Sequence, residues 1–390
     1  MIGTCEGMKF IFASDSFKGS LSATRITQLL QEEAEACFPG MEGVCVPVAD
    51  GGEGTVDALL LALGGQRQRV QVTGPLGENV WATYGVTPHG VAVMEMAQAS
   101  GITLLDRKDP LQATSRGTGE MLAHALRAGA QEILLGIGGS ATNDGGMGML
   151  EALGVRFYDA DGNILAGCGA ALGKVSRVDL AGMLPQVRAA HITVICDVSN
   201  PLLGPTGATA VYGPQKGVTP ELMPVLEAGM ANYAHVLEHT LGCDLAGQPG
   251  YGAAGGMGAA LGGVLGASLR RGIDAVMDAV NFDGLLEGAD LVITGEGCLD
   301  RQSIAYGKVI AGIAERADRK GVPVCALVGS MRPGAEAFLE GAPSHSVMTT
   351  VNGVMPMETA MDQAETLYRS AAQRMFRLLR MGMQCRKGNL

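Results

Sequence analysis

Residues 132–146, EILLGIGGSATNDGG, contain a short apolar run that leads directly into a glycine-rich segment. Apolar runs of this length that end in turn-forming residues are typical of buried β-strands. The same order, an apolar run, a glycine or acidic loop and then a helical pattern, recurs along the chain. Strands that alternate with helices in this way predict an α/β fold with a parallel sheet.

Further runs of this kind precede acidic loops at 9–14, 44–49, 192–196 and 290–294, and two more lie at 322–328 and 346–351. Ligands of open parallel sheets bind outside the carboxyl ends of the strands, so the loops after these runs are candidate binding loops. Residues 69–77 and 80–86 instead predict antiparallel strands around a Gly-Pro turn. The apolar periodicity over 358–381 predicts a C-terminal amphipathic helix.

The length of 390 residues exceeds what one hydrophobic core usually serves, and it predicts either two domains or one domain with a large insertion, with a cleft as the natural site. We expect a discontinuous, Rossmann-like parallel-sheet domain formed by residues 8–65 and 287–385. Residues 66–286 are expected to form an inserted α/β domain with a mixed sheet and the glycine-rich loop.

Composition excludes several classes of function. A net charge of −11 without a basic stripe argues against nucleic acid and anionic membranes as partners. The nine cysteines show neither a C-x-x-C pair nor zinc spacing, which favours a reducing, cytoplasmic compartment. The N-terminal residues lack a secretory signal, and the uncharged stretch 245–269 is too weakly apolar for a membrane span.

The glycines of 136-GIGGSATNDGG-146 allow backbone N–H groups to converge on an anion, which indicates a phosphate site. The chain contains no Walker motif, and a tight turn that merely needs glycine is the alternative. Asp144 among such amides indicates a bridging Mg²⁺ ion. The expected nucleotide-binding residues of this loop are Gly138, Gly139, Ser140, Thr142, Asn143, Gly145 and Gly146.

Two acidic loops combine carboxylates with hydroxyl or cationic groups, 15-DSFKGSLSA-23 and 50-DGGEGT-55. In the first, Ser16 and Lys18 precede a helix whose N-terminus suits an anion, although capping by a serine is the simpler explanation. In the second, Asp50 is a candidate base, while Glu53 binds a ligand or caps the following helix.

Two further segments carry charged candidates. Arg116, in 114-TSRGTGE-120, could hold a carboxylate through its planar guanidinium, although a solvated surface arginine is the more frequent case. The loop 295-GEGCLDRQS-303 offers Glu296, with Lys308 close behind, and ordinary turn or capping roles are the alternative.

The segment 196–217 places Asp197, Asn200 and Lys216 in loops after a strand. An aspartate can accept the proton of a substrate hydroxyl or bind Mg²⁺, asparagine can bind Mg²⁺, and lysine can neutralise a transferring phosphate. Together they supply the groups that phosphoryl transfer requires.

The chain from Met8 onward resembles the bacterial glycerate kinase family of the 2-phosphoglycerate-forming type. The resemblance rests on these blocks in order: 15-DSFKGSLSA-23, 48-VADGGEGTV-56, 73-TGPLG-77, 94-MEMAQASG-101, 109-DPLQATSRGTGE-120, 136-GIGGSATNDGGMG-148, 196-CDVSNPLLG-204, 213-GPQKG-217, 254-AGGMGAAL-261 and 294-TGEG-297. It implies ATP-dependent phosphorylation of D-glycerate, a two-domain α/β fold and a requirement for Mg²⁺.

With the resemblance, each candidate residue takes an expected role. Glycerate and a nucleotide are the expected partners, and a homodimer is left open. Catalytic roles fall to Asp197, Asp50 and Lys18, and metal binding to Asp144 and Asp197. Glycerate binding falls to Arg116, Lys216, Ser16, Glu53 and Asn200, and nucleotide binding to the glycine-rich loop with Glu296 and Lys308.

Two positions depart from the family pattern. Cys298 stands where the family carries a basic residue, and 300-DRQSIAYGK-308 is one residue longer than the family's D-x-Q-[ST]-x-x-G-K. Both departures could alter substrate affinity.

Two other functions fit parts of the sequence. G-x-G-x-x-A at Gly136, Gly138 and Ala141, with Asp159 about twenty residues beyond, would suit a nucleotide-dependent dehydrogenase of a small hydroxy acid. A non-catalytic sugar-acid sensor would bind its ligand between two lobes without releasing ADP.

Overall fold

A computed structural model describes residues 7–48, 54–305 and 309–387. The strands in chain order are β1 (Lys9–Ser14), β2 (Glu42–Cys45), β3 (Gln66–Thr73), β4 (Asn79–Val86), β5 (Val91–Glu95), β6 (Glu132–Gly136), β7 (Arg156–Tyr158), β8 (Ile164–Leu165), β9 (Arg177–Asp179), β10 (His191–Ile195), β11 (Ser268–Arg270), β12 (Leu291–Gly295), β13 (Cys298–Leu299), β14 (Val324–Val328), β15 (Ser330–Met331) and β16 (His345–Thr349).

The α-helices in chain order are α1 (Ala23–Cys37), α2 (Thr55–Leu63), α3 (Ala97–Ser100), α4 (Arg116–Arg127), α5 (Met147–Ala152), α6 (Pro185–Ala189), α7 (Ala208–Tyr212), α8 (Met223–Leu241), α9 (Ala253–Ala259), α10 (Gly272–Ala279), α11 (Phe282–Leu285), α12 (Arg301–Ala305), α13 (Val309–Arg319), α14 (Met357–Asp362) and α15 (Ala364–Lys387). Short 3₁₀ turns lie at Ile102–Leu104, Gly169–Lys174, Pro214–Lys216 and Ala335–Phe338, and a π-helical turn lies at Ala260–Val264.

The chain divides into two compact units. The first unit contains residues 1–50, 61–63 and 273–390, and the second contains residues 51–60 and 64–272. The domain boundaries expected from the sequence, after residues 65 and 286, stay a prediction. None of the described helices is long and apolar enough to cross a bilayer.

The main sheet of the first unit has the strand order β16-β14-β12-β1-β2, and its neighbouring strands run parallel. Parallel strands are buried on both faces and therefore show continuous apolar runs, as β1 and β12 do. β1 lies between β12 and β2, with Ser14 opposite Gly295. The polar residues that follow these two strands, Asp15 and Glu296, therefore leave the same edge of the sheet.

The core of the first unit contains side chains from β1 and from α15, which lie far apart in the sequence. The ring centroids of Phe10 and Phe38 lie 5.4 Å apart, and Phe376 of α15 stacks on Phe10 at 6.3 Å. The single helix expected over 358–381 is in fact two helices, because the backbone of Gln363 leaves helical geometry between α14 and α15. No glycine or proline marks this break in the sequence.

The main sheet of the second unit is mixed, with the order β11-β10-β6-β5-β4-β3. Strands β11, β10, β6 and β5 are parallel, whereas β4 runs antiparallel to both β5 and β3. The paired strands expected around the Gly-Pro turn are confirmed, with Thr73 opposite Asn79. A small antiparallel sheet, β8-β7-β9, is added after α5.

The predicted α/β class with a parallel and a mixed sheet is confirmed, and the strand positions agree closely with the apolar runs. The exception is the run expected at 44–49, because β2 ends at Cys45. Beyond Cys45 the amides of Val46 and Val48 still donate to Phe12 O at 2.8 Å and Ser14 O at 3.1 Å in β1, and Pro47 lies between them.

Candidate active site

The candidate site of the second unit is built on the loop between β6 and α5, here called the glycine loop, residues 137–146. In the described part of the chain, two of its amides pair with backbone carbonyls: Ala141 N–H donates to Ser100 O at 2.9 Å, and Gly145 N–H donates to Gly255 O at 3.0 Å. Other amides of the loop donate to no acceptor among the described residues, namely those of Gly138, Gly139, Ser140, Thr142, Asn143 and Asp144. Such a row of free donors is the arrangement that binds anions.

Asp144 organises the end of the glycine loop. Its carboxylate is fully buried and accepts hydrogen bonds from Ser115 N–H at 2.8 Å, Ser115 Oγ at 2.7 Å, Gly148 N–H at 3.2 Å and Gly146 N–H at 3.1 Å. Burial raises the pKa of Asp144, and these four donors act in the opposite direction. The carboxylate therefore ties the loop to the start of α4.

Lys216 is in contact with the glycine loop and is 1% exposed. Its Nζ donates to the carbonyl oxygen of Thr142 at 2.7 Å. Burial lowers the pKa of Lys216 to about 7, although the charge of Asp144 partly opposes this shift.

Several buried polar atoms around the loop lack a protein partner. Among the described residues, Thr142 Oγ1, Asn143 Oδ1 and Tyr233 OH accept or donate no hydrogen bond. Asn143 is oriented by its Nδ2 group, which donates to Thr209 Oγ1 at 3.2 Å. Buried polar groups are normally satisfied, so these atoms indicate that a ligand or water completes the site.

Arg116, the first residue of α4, is held by two carboxylates. Its Nε donates to Glu120 at 3.0 Å and its Nη1 donates to Glu151 at 2.7 Å. The guanidinium remains partly exposed, at 40% of its side chain. The ion pairs fix its orientation and offset its positive charge.

The loop after β10 is also held by its own side chains. Asp197 is exposed, and its Oδ1 accepts a hydrogen bond from Gly272 N–H at 2.7 Å. Asn200 Nδ2 donates to Thr206 O at 2.8 Å, while Tyr212 OH donates to Asn200 Oδ1 at 2.6 Å. Both residues follow a strand that neighbours β6, so they leave the same sheet edge as the glycine loop.

The candidates of the first unit follow β1 and β12. Asp15 is buried and its Oδ1 accepts a hydrogen bond from Ser16 N–H at 2.6 Å, whereas Lys18 is exposed. Ser22 caps α1 by accepting a hydrogen bond from Arg25 N–H at 3.2 Å, as the capping alternative expected. Glu296 is buried at the end of β12.

The remaining candidates lie outside the described residues, namely Asp50, Glu53 and Lys308. Cys298 is half-buried at the start of β13, which pairs in parallel with β15. Its effect on substrate affinity stays a prediction.

The family model that describes the glycerate kinase family matches residues 10–380 of this chain. The chain belongs to the glycerate kinase family. The membership expected from the sequence blocks is thus confirmed.

Relatives in this family span most of the chain. A glycerate kinase of Bacillus cereus (strain ATCC 10987 / NRS 248) is 48% identical over 336 residues, which cover 85% of this chain and 88% of the relative. A glycerate 2-kinase of Escherichia coli (strain K12) is 46% identical and covers 83% of this chain and 86% of its own length. The crystal structure of a protein from Salmonella typhimurium LT2, provisionally named glycerate kinase 2, aligns with a TM-score of 0.87 and 43% identity over 97% of this chain and 99% of that chain.

The dehydrogenase alternative does not fit this member of the glycerate kinase family. A dinucleotide fingerprint needs a helix that begins within the glycine pattern, yet α5 begins at Met147, after Ala141. Asp159 is half-buried and accepts hydrogen bonds from the backbone of Asp161 and Asn163, which shapes a turn between β7 and β8.

Sequence reasoning missed Glu95, a buried residue at the end of β5. Its Oε1 accepts a hydrogen bond from Val56 N–H at 2.9 Å near the N-terminus of α2, and burial raises the pKa of its carboxyl group. The signal was an acidic residue that directly follows a buried apolar run, VAVME. Ser115 and Tyr233 were also missed, because nothing local in the sequence shows that they face the glycine loop.

Proposed function

We propose that this protein catalyses the ATP-dependent phosphorylation of D-glycerate to 2-phosphoglycerate. The observation that carries the proposal is the row of glycine-loop amides that have no acceptor among the described residues, at the carboxyl end of β6, in a chain of the glycerate kinase family. Phosphoryl transfer needs little covalent chemistry from the protein, and such donors supply the positioning and charge stabilisation that it does need.

The glycine loop is proposed to bind nucleotide phosphates. Gly138 and Gly139 are exposed and can present their N–H groups to a phosphate without side-chain obstruction. The unpartnered oxygens of Thr142 and Asn143 support an occupied site at the deeper end of the loop. The proposed contacts of Glu296 and Lys308 with the nucleotide stay predictions.

Mg²⁺ bound with the nucleotide would neutralise phosphate charge. It takes oxygen ligands and usually keeps several waters, so one or two carboxylates suffice. Asp197 fits this requirement because it is exposed after β10. Asp144 fits less well, because its buried carboxylate already accepts four hydrogen bonds from the protein.

The roles at the acceptor remain proposals. Asp197 or Asp50 would accept the proton of the hydroxyl group, and Lys18 would stabilise the charge that develops during transfer. Arg116 is proposed to bind the glycerate carboxylate, but its two ion pairs mean that a further cation is needed for a net positive site. Ser16, Glu53 and Asn200 complete the proposed set.

The decisive experiment measures ADP release with ATP and Mg²⁺ in the presence of D-glycerate, of other small hydroxy acids and of no acceptor. We expect release that depends on D-glycerate, and a phosphorus NMR spectrum that places the phosphate on the 2-hydroxyl. Release without an acceptor would point to an ATPase, and phosphate on the 3-hydroxyl would refute the proposed regiochemistry. Binding of glycerate without ADP release would support the sensor.

We also propose that the protein acts in the cytoplasm. The described cysteines are free thiols, which suits a reducing compartment. Assembly into a homodimer stays a prediction.

A further inference from the structure

The environment of Lys216 differs from that of a lysine that binds substrate. Its side chain is 1% exposed, and among the described residues its Nζ group has one hydrogen-bond acceptor, the Thr142 carbonyl at 2.7 Å. Lysine is almost never fully buried unless its amine has a specific partner. The partner here is the backbone of the glycine loop.

The contact falls at a critical point of that loop. The amides of Thr142, Asn143 and Asp144 have no acceptor among the described residues. The Thr142 carbonyl, in contrast, accepts the hydrogen bond from Lys216 Nζ. The lysine therefore fixes the carbonyl group of this segment and leaves its N–H groups available for a ligand. The Asp144 carboxylate fixes the next turn through Gly146 and Gly148. Lys216 therefore fixes the glycine loop at Thr142, and Asp144 fixes the end of the loop.

The opposite face of the same segment is also fixed. The Gly255 carbonyl accepts the hydrogen bond from Gly145 N–H, and a Cβ on Gly255 would lie 2.0 Å from Thr142 O. The Thr142 carbonyl is thus enclosed by the backbone of residue 255 and by the Lys216 amine. A shift of this carbonyl would reorient the amides of residues 142–144.

We propose that Lys216 is a positioning residue, which sets the glycine loop for phosphate binding through the Thr142 carbonyl and does not contact the glycerate carboxylate. The proposal rests on the proposed function and replaces the direct carboxylate contact expected from the sequence. A neutral amine still donates this hydrogen bond, so the role does not depend on a permanent positive charge.

The test compares wild type with Lys216→Met, which keeps the side-chain volume but removes the donor, and with Lys216→Gln, which keeps a shorter, uncharged donor. Lys174→Met is the matched control, because Lys174 is exposed and lies in a 3₁₀ turn outside the glycine loop. A buried methionine is expected to be tolerated, since replacing buried charges by apolar groups is often neutral for folding.

For Lys216→Met we expect kcat/KM for ATP to fall about 100-fold, because small misplacements of a positioning loop have effects of this order. The KM for glycerate at saturating ATP should change less than about threefold, because no substrate contact is lost. Amide hydrogen exchange of peptides that cover residues 138–149 should become about tenfold faster, since loss of the tie favours local opening. Lys216→Gln should be intermediate, and Lys174→Met should match wild type.

A KM for glycerate that rises roughly 10- to 100-fold, with loop exchange unchanged, would overturn the proposal and place Nζ on the carboxylate. Unchanged kinetics and exchange would also overturn it. If wild type releases no ADP with glycerate, the proposed function fails, and the exchange measurement alone decides the positioning role. If Lys216→Met does not fold, Lys216→Gln decides by the same measures.

Discussion

Burial of Lys216 links its protonation to the free energy of unfolding. The pKa of this lysine is about 7 in the folded protein and 10.5 for an unperturbed side chain. Between these values the unfolded chain holds a proton that the folded protein has released. The free energy of unfolding therefore rises with pH across this window, and the cost of burying the ammonium is fully present below about pH 7.

Wild type should gain about 2–3 kcal/mol of unfolding free energy relative to Lys216→Met between about pH 7 and about pH 9.5. Urea unfolding at several pH values measures this difference, and comparison of the two proteins cancels most contributions from other titrating groups. The exposed Lys174→Met variant should follow the wild-type curve. Parallel curves for wild type and Lys216→Met would show that the Lys216 pKa is not depressed.

At the residue scale, the sequence indicated which side chains suit phosphate chemistry but did not indicate whether those side chains are buried. It proposed Asp144 and Lys216 as candidates, because acids, lysines and glycines after strands suit phosphate chemistry. It could not show that both side chains are buried, because burial depends on segments distant in sequence, such as Ser115, which donates to Asp144. Lysine is usually exposed, so GPQKG gives no sign of a buried amine.

At the scale of elements, the glycine loop depends on the start of α9. Ala254, Gly255 and Gly256 all have positive φ there, and Gly255 at φ 69° lies against the Thr142 carbonyl. Ala254 also has a positive φ, so this backbone conformation alone does not require glycine. The close approach to the Thr142 carbonyl is therefore the stronger constraint on residue 255.

Gly255→Ala should lower the free energy of unfolding by about 2–4 kcal/mol, from the left-handed backbone and the overlap at 2.0 Å together. Gly162→Ala is the matched control, because Gly162 has φ 85° with no atom within 4 Å of an added Cβ. The control should lose about 1 kcal/mol. Equal losses, measured by urea unfolding, would mean that the contact with Thr142 adds nothing.

Strands and turns were predicted correctly where a single local sequence signal, such as an apolar run or a Gly-Pro pair, is strong. The runs predicted at 9–14 and 290–294 correspond to the buried strands β1 and β12, and the Gly-Pro turn became the hairpin of β3 and β4. The break between α14 and α15 was not predicted, because Gln363 is an ordinary helix former and no glycine or proline stands beside it.

At the scale of the whole molecule, the core of the first unit is complete only when both β1 and α15 are present. The buried side chains of α15 are Leu367, Tyr368, Ala371, Ala372, Met375 and Phe376. Phe376 packs against Phe10 and Phe12 of β1 with ring centroids 6.3 Å and 6.4 Å apart. The C-terminal helix is thus part of the core around the N-terminal strand.

Phe376→Ala should lower the free energy of unfolding of the first unit by about 3–5 kcal/mol, because it removes a buried ring and leaves a cavity. Leu378→Ala, two residues along the same helix and 62% exposed, should change it by less than about 0.5 kcal/mol. Urea unfolding followed by circular dichroism compares the two. A small loss at residue 376 would show that α15 contributes little to this core.

The central position of β1 has a consequence for synthesis on the ribosome. This strand is translated before the second unit, whereas its neighbour β12 and its covering helix α15 are translated only after that unit. The second unit can therefore complete its sheet during translation, whereas the apolar β1 stays exposed to chaperones and to misassociation until α15 leaves the exit tunnel. Nascent chains stalled before α15 should therefore hold a folded second unit beside an unfinished first one.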